Sequence, residues 1–296
     1  MTGPADLGLD RLYHRLRCPT CSSQPRLGAV RCDGCGRLIE IESGVLDLLP
    51  EDLRAEADRF AELYRALRVQ EGWAAPTGRE GPNDADPKWR RRLEAVKRAV
   101  AMLERDLRGD PRPVVGDAGA GAGWAALLFS WADVIAFDWL DPSPVRGPVL
   151  SIRADMRRLP LKEGSMDGLL YAASIHYVPI DDAVREAARV LRPGGLLVAV
   201  ESPMYVDHRS ADRAAERSAR YYTAMGYPEL AVHYHPVDVR RLKTALARSA
   251  FRIERIEMPG GLLNIWRRLS QRHQFAMVVG RLDEVQVPAP GLDGTC

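Results

Sequence analysis

Net charge, long apolar runs and cysteine are all scarce in this chain, and each scarcity excludes something. The 42 basic side chains are offset by 40 acidic ones, leaving a formal +2, so no global field exists to hold the chain on nucleic acid or on an anionic membrane. Any RNA contact would have to be local. No apolar run approaches the roughly 20 residues that span a bilayer, and Met1 to Arg17 mixes acids, arginines and apolar residues without the apolar centre of a secretory signal. A cytoplasmic protein with no membrane partner is the expectation. Of five cysteines, four fall between Cys18 and Cys35 and the fifth is Cys296. In a reducing compartment such clusters bind metal more often than they form disulfides. Internal repeats and low-complexity tracts are missing too. What is present, 296 residues at 46% hydrophobic, suffices for one α/β domain with a buried sheet and something smaller attached.

Four segments follow. Residues 1–50 carry the cysteines and end in Asp47-Leu48-Leu49-Pro50. Residues 51–110 read as a helical connector and lid. Leu53, Ala57, Phe60, Leu63, Tyr64 and Leu67 recur at helical spacing, a turn-rich stretch from Ala74 to Pro87 follows, and Leu93, Val96, Val100, Leu103 and Leu107 mark a second helix. Over 111–285 short apolar runs alternate with helical stretches, the pattern of βαβ units around a parallel sheet. Strands are expected near Val114–Asp117, Val134–Asp138, Val149–Arg153, Gly168–Ala172, Leu196–Glu201, Phe251–Glu257 and Phe275–Arg281. Helices are expected at Ala183–Leu191 and Val237–Ala250, with an insertion over about 203–236. Residues 286–296 form a tail.

Cys18-Pro19-Thr20-Cys21 and Cys32-Asp33-Gly34-Cys35 are two CxxC pairs ten residues apart. Each pair lets two thiolates converge on one side of a tight turn, and two such turns supply the tetrahedral four-sulfur shell that zinc prefers. A redox dithiol or a pair of disulfides is the alternative, but a redox CxxC comes without a second matching copy. Four protein ligands leave no open position, so Cys18, Cys21, Cys32 and Cys35 are expected to hold a structural Zn2+. The segment from Arg15 to Pro50 resembles two zinc modules: the small zinc-ribbon activator subunit of tRNA and protein methyltransferases, and the N-terminal zinc domain of bacterial 23S rRNA guanine-N1 methyltransferases.

Val114-Val115-Gly116-Asp117-Ala118-Gly119-Ala120-Gly121-Ala122-Gly123 reads as a strand running into a glycine turn that opens a helix. A dinucleotide fold of the NAD type places a third glycine where this chain has Trp124. The pattern Asp-x-Gly-x-Gly-x-Gly instead resembles the first motif of class I methyltransferases, which implies S-adenosyl-L-methionine beside Asp117, Gly119, Gly121 and Gly123. Asp138 ends the next strand, where an acid can accept hydrogen bonds from both ribose hydroxyls. Asp155 and its neighbour Met156 follow the third strand. The run from Ala154 to Val178, together with Arg189-Val190-Leu191-Arg192-Pro193-Gly194-Gly195-Leu196, resembles the type 11 methyltransferase family, in which the acid at the place of Asp155 contacts the adenine amino group. The implied fold is α/β: a Rossmann-like methyltransferase fold, with a mostly parallel seven-stranded sheet, helices on both faces and a small N-terminal zinc ribbon.

Open α/β sheets bind ligands at the carboxyl ends of their strands. His176 and Tyr177 follow the fourth strand, Glu201 and Tyr205 the fifth, and His233, Tyr234 and His235 precede Pro236. His176 ranks first and His235 second as a base. Tyr205, Tyr221, Tyr222, His233 and His235 are expected in a lid over a small-molecule acceptor. RNA methylation, with Arg11, Arg15, Arg17 and Arg26 on phosphates, is the alternative, and a non-catalytic scaffold with a protein-docking ribbon is the third. Oligomeric state is left open.

Overall fold

The computed structural model describes residues 10–25, 31–42, 44–74, 81–83, 85–109, 112–140, 149–257 and 275–284. Arg26, Cys296 and the tail 286–296 lie outside the described residues.

The framework is one nine-stranded sheet. In chain order its strands are β1 (Glu40–Glu42), β2 (Val45–Asp47), β3 (Val114–Ala118), β4 (Asp133–Asp138), β5 (Val149–Arg153), β6 (Met166–Ala172), β7 (Leu191–Val200), β10 (Phe251–Glu257) and β11 (Met277–Leu282). Across the sheet they lie in the order β1-β2-β5-β4-β3-β6-β7-β11-β10. All pairs from β2 to β7 are parallel, while β1 and the β11-β10 edge run antiparallel. A separate parallel pair joins β8 (Met204–Tyr205) to β9 (Val237–Asp238). The seven expected strands are all present, and two more come from the cysteine segment: β2 pairs with β5, Val45 opposite Ser151. The cysteine segment is thereby stitched to the sheet edge.

Successive side chains of a strand point to opposite faces, and here they sort into two cores. Ile135 and Phe137 pack on one face with Ala183, Val184 and Ala187 of α4 (Ile180–Val190) and Leu242 and Leu246 of α6 (Val239–Arg248). Val134 and Ala136 pack on the other with Val96, Ala99, Val100 and Leu103 of α3 (Pro87–Asp106). Leu12 of α1 (Asp10–Tyr13), Leu16, Cys18 and Cys32 belong to the first of these cores. Leu16 forms a β-bridge with Leu161, and the Arg17 amide donates to Pro160 O at 3.0 Å. A buried leucine contributes about 2 kcal/mol, so the cysteine segment draws its apolar support from the main domain.

Capping explains where the helices begin. Asp86 accepts from the Lys88 amide at 2.8 Å ahead of Pro87 in α3, and Asp238 does the same for Arg240 in α6. In α5 (His208–Met225) Asp207 caps the start and Gly226, at φ +91°, ends the helix. The expectation of a helix opening at the glycine turn is corrected: Ala126–Leu128 makes only one 3-10 turn. Nine residues, 124–132, separate Gly123 from β4. Retracing a six-residue strand of about 20 Å takes about 13 helical residues. The link is too short for a full crossover helix.

Candidate functional site

Strands β3, β4 and β5 step outward in one direction while β6 and β7 step in the other, so the order reverses between β3 and β6. That reversal opens a crevice at the carboxyl ends of the strands. A cavity of about 470 Å³ lies there, within the range of small-molecule sites. Gly119, Ala120, Gly121 and Ala122 of the loop after β3 form its floor, with Trp124 beside them. Gly119 has φ +74°, and a Cβ there would collide with Ser174. No other residue type fits that turn. Gly123 lies off the cavity wall and closes the turn, its amide donating to Ala120 O at 2.9 Å.

The three predicted carboxylates differ. Asp138 and Asp155 face the cavity. Asp138 accepts from the Gly121 amide at 2.7 Å and from the Leu140 amide at 2.8 Å, holding the glycine loop against the end of β4. Asp155, 1% exposed, is gripped by Arg157 through its backbone amide at 2.7 Å and its guanidinium at 2.5 to 3.0 Å, and by the Trp139 indole N–H at 3.2 Å. Arg157, which sequence reasoning missed, already fills this carboxylate. Met156 lines the cavity. Asp117 lies beneath the loop, wholly buried, and neither oxygen accepts a hydrogen bond of normal geometry. Burial, then the nearby Asp138 charge, pushes its carboxyl up to about 7, against a lowering contribution from the Ala126 amide.

Both predicted histidines reach the cavity. They meet through backbone, the His235 amide donating to His176 O at 2.7 Å. The His176 ring is buried, with Nδ1 3.0 Å from Ser202 Oγ. Burial, then Arg68, Arg92 and His235, lowers it to about 3, so it is neutral at neutral pH and a weak proton acceptor. His235, half-buried, is lowered by burial and by His233. The two rings differ in burial: His176 is enclosed, whereas His235 keeps part of its surface exposed.

The roof is built from two distant stretches. One is α2 (Arg54–Gln70), which presents Glu56, Phe60, Tyr64 and Arg68. The other is the last turn of α5, with Tyr222, and the stretch after it, with Val232, His233 and Tyr234. They meet where the His233 ring packs edge-on to Phe60 at 4.9 Å, and Arg59 pairs with Glu229 at 3.1 Å. Arg68 donates to Tyr177 Oη at 2.7 Å. Two expected lid tyrosines are off the cavity wall: Tyr205 is buried behind Tyr234, Oη to Oη 3.3 Å, and Tyr221 bonds Glu71 on the outside. Helical periodicity marks Phe60 and Tyr64 as an apolar face of the segment expected to form a connector and lid, and both side chains lie on the cavity wall.

At the far edge of the sheet Cys18, Cys21, Cys32 and Cys35 converge, all four Sγ atoms within 4.8 Å of one another. Cys18 and Cys35 are 3.7 Å apart and Cys21 and Cys32 3.5 Å. Bonds of about 2.3 Å to a tetrahedral zinc place sulfurs about 3.8 Å apart, so the donor set fits that metal. A Cβ on Gly34 would strike Ser23 and the Cys21 sulfur.

Residues 116–199 match the family described as "Methyltransferase domain". Over 111 residues the chain is 35% identical to an uncharacterised chloroplast methyltransferase of Arabidopsis thaliana, covering 30% of this chain and 31% of that protein. Over 169 residues it is 28% identical to the malonyl-acyl-carrier-protein O-methyltransferase of Dechloromonas aromatica, covering 54% and 62%. It thus spans 31% and 62% of the length of these curated relatives. Among solved structures, geranyl diphosphate C-methyltransferase of Streptomyces coelicolor superposes with a TM-score of 0.51 at 16% identity, covering 76% of this chain and 97% of that one. The cyclase SpnF gives 0.51 at 16% identity, covering 83% and 98%. At such identities the likeness is one of fold, the Rossmann-like methyltransferase fold.

Proposed function

We propose, from the premise that residues 116–199 form an S-adenosylmethionine-dependent methyltransferase domain, that the protein methylates a small organic acceptor enclosed beneath the roof of α2 and the stretch after α5. The observation that carries this reading is the cavity itself: it sits at the switch point over the glycine loop and is walled by aromatic and histidine side chains. A chain of formal charge +2 offers little to a polyanion.

The residues fit the cofactor. Open space lies where a Cβ on Gly121 would project, and Gly119 to Gly121 floor the cavity, where the methionine part would pass. Asp138 would take the ribose hydroxyls, having acceptor capacity beyond its two amide donors. Asp155 and Met156 would flank the adenine, with Arg157 yielding its place on the carboxylate. Bound there, S-adenosylmethionine supplies a methyl group on a positively charged sulfur. The chain's part is to hold the acceptor in line and keep water out, which removes much of the entropic barrier. His235 is placed to receive a proton from an acceptor that must lose one, and neutral His176 is placed to accept a hydrogen bond. The four cysteines would hold one zinc ion as a closed, structural site.

Calorimetry with S-adenosylhomocysteine tests the cofactor site. Replacing Asp138 by Ala removes charge-assisted hydrogen bonds worth about 1.5–3 kcal/mol, so affinity falls tenfold or more. A folded Asp138→Ala variant with unchanged affinity would move the ribose site elsewhere. For the acceptor, labelled methyl transfer is followed into a small-metabolite extract and into total RNA. Label in RNA alone, with steeply salt-dependent binding, would overturn the small-molecule reading.

A further inference from the structure

Only four described non-glycine residues have left-handed backbones, and two of them, Ala173 at φ +58° and Glu201 at φ +60°, sit at the ends of the adjacent parallel strands β6 and β7. The Ala173 amide donates to Val200 O at 2.8 Å, tying the two strand ends together, and both residues line the cavity. Strain of this kind persists where the surroundings hold it in place and gathers at functional sites. At Glu201 its effect is to aim a carboxylate, only 4% exposed, at the cavity.

The other acids on the cavity wall are engaged. Asp138 holds loop amides, Asp155 holds Arg157, and Glu56 lies 3.8 Å from His233. Glu201 differs: its Oε2 is 3.0 Å from Arg91, yet accepts no hydrogen bond of normal geometry. The Arg91 side chain is about half exposed and its guanidinium rests on the Phe275 ring at 4.3 Å, while Arg92 lies over Trp73 at 4.4 Å. A buried carboxylate with a weakly held partner discriminates sharply between heads that donate hydrogen bonds and heads that only accept them.

Resting on the methyltransferase reading, we propose that Glu201 anchors the acceptor by accepting a hydrogen bond from a hydroxyl or ammonium beside its reacting atom, and that it excludes acceptors with a carboxylate head. Burial raises the Glu201 carboxyl overall, against the lowering pull of the Arg91, Arg92 and Arg98 charges.

The test uses benzylamine and benzoate, titrated calorimetrically into full-length protein saturated with S-adenosylhomocysteine. Wild type is expected to bind benzylamine at least tenfold more tightly than benzoate. Glu201→Gln brings the two within twofold and leaves S-adenosylhomocysteine affinity within twofold of wild type. Glu201→Asn does the same, but melts at a higher temperature than Glu201→Gln because asparagine tolerates the left-handed backbone better. A merely structural role would not link that gain in stability to a loss of selectivity. No preference for benzylamine in wild type, whether both probes bind or neither, overturns the proposal. So does a tenfold loss of S-adenosylhomocysteine in Glu201→Gln, which would place the carboxylate on the cofactor. Should wild type bind no S-adenosylhomocysteine, the methyltransferase reading falls, while the same pair of probes on the protein alone still decides the role of Glu201.

Discussion

The cysteine cluster and the cavity are built on opposite principles. Cys18 to Cys35 lie within eighteen residues, so two tight turns suffice to bring four sulfurs together. The cavity draws on side chains from Glu56 to Phe275, and no short stretch determines it. A site whose donors are local is specified by spacing, whereas a site whose donors are distant is specified by topology. Yet the two share one framework. Asp47, at the end of β2, accepts from Arg54 at 2.6 Å and lies 3.6 Å from Arg153 on β5. Arg54 begins α2, the helix that roofs the cavity.

Removing the metal is the strongest way to break that comparison. One zinc per chain is expected by metal analysis, and binding free energies of about 10–16 kcal/mol are tied to folding in such sites. Cys32→Ser should lose the metal and unravel the segment before Pro50. Because α2 is tied to β2, S-adenosylhomocysteine affinity should fall as well. A Cys32→Ser variant that keeps its full zinc content would overturn the four-thiolate assignment, and a metal-free protein with unchanged affinity would show the two sites to be independent.

That contrast also explains what was legible in the sequence. The apolar runs of β3 to β7 are long and flanked by turn residues, so the parallel sheet could be read from them, as could the glycine loop and the paired cysteines. Strands β1 and β2 are three residues each, too short for alternation to register, and the pairing of β2 with β5 depends on contacts a hundred residues away. The missing helix after Gly123 follows from a chain-length limit that local propensity does not express. Arg157 on Asp155 and the packing of Phe60 against His233 were hidden because no spacing rule links them to what they meet.

Two buried ionisable groups sharpen the cavity side, with effects of about 4–5 kcal/mol each at 1.36 kcal/mol per pH unit. Asp117, raised from 3.8 to about 7, is stabilised in its protonated form. Its contribution is present below pH 3.8 and lost as pH rises toward 7. His176, lowered from 6.5 to about 3, is stabilised in its neutral form. Its contribution is present above pH 6.5 and lost as pH falls toward 3. Between about pH 4 and 6.5 the two slopes oppose one another. Relative to wild type, Asp117→Asn should therefore gain stability with rising pH in that window, and His176→Gln should lose it, as read from denaturant midpoints at each pH. Parallel profiles for all three proteins would place these groups outside the titrating core.

The smallest effect tests the seam between α1 and the sheet. Arg11 and Arg112 both bond Asp133 Oδ1, the latter at 2.6 Å, and Asp133 is 1% exposed at the start of β4. Both arginine side chains are about half exposed, so either alone is worth about 0.2–1 kcal/mol. Each partner also covers the loss of the other: with one arginine gone the carboxylate stays paired, and with both gone a buried charge is left uncompensated, which costs more than the two exposed pairs suggest. Arg11→Ala and Arg112→Ala should each shift the unfolding free energy by less than about 1 kcal/mol. The double variant should exceed their sum by about 1 kcal/mol, inside the range for groups sharing one partner. A double-mutant cycle measured by urea unfolding gives this coupling directly. Strict additivity would mean that α1 is not energetically joined to β4 through Asp133, and that the cysteine segment is held to the sheet by β2 and the packing of Leu12 and Leu16 instead.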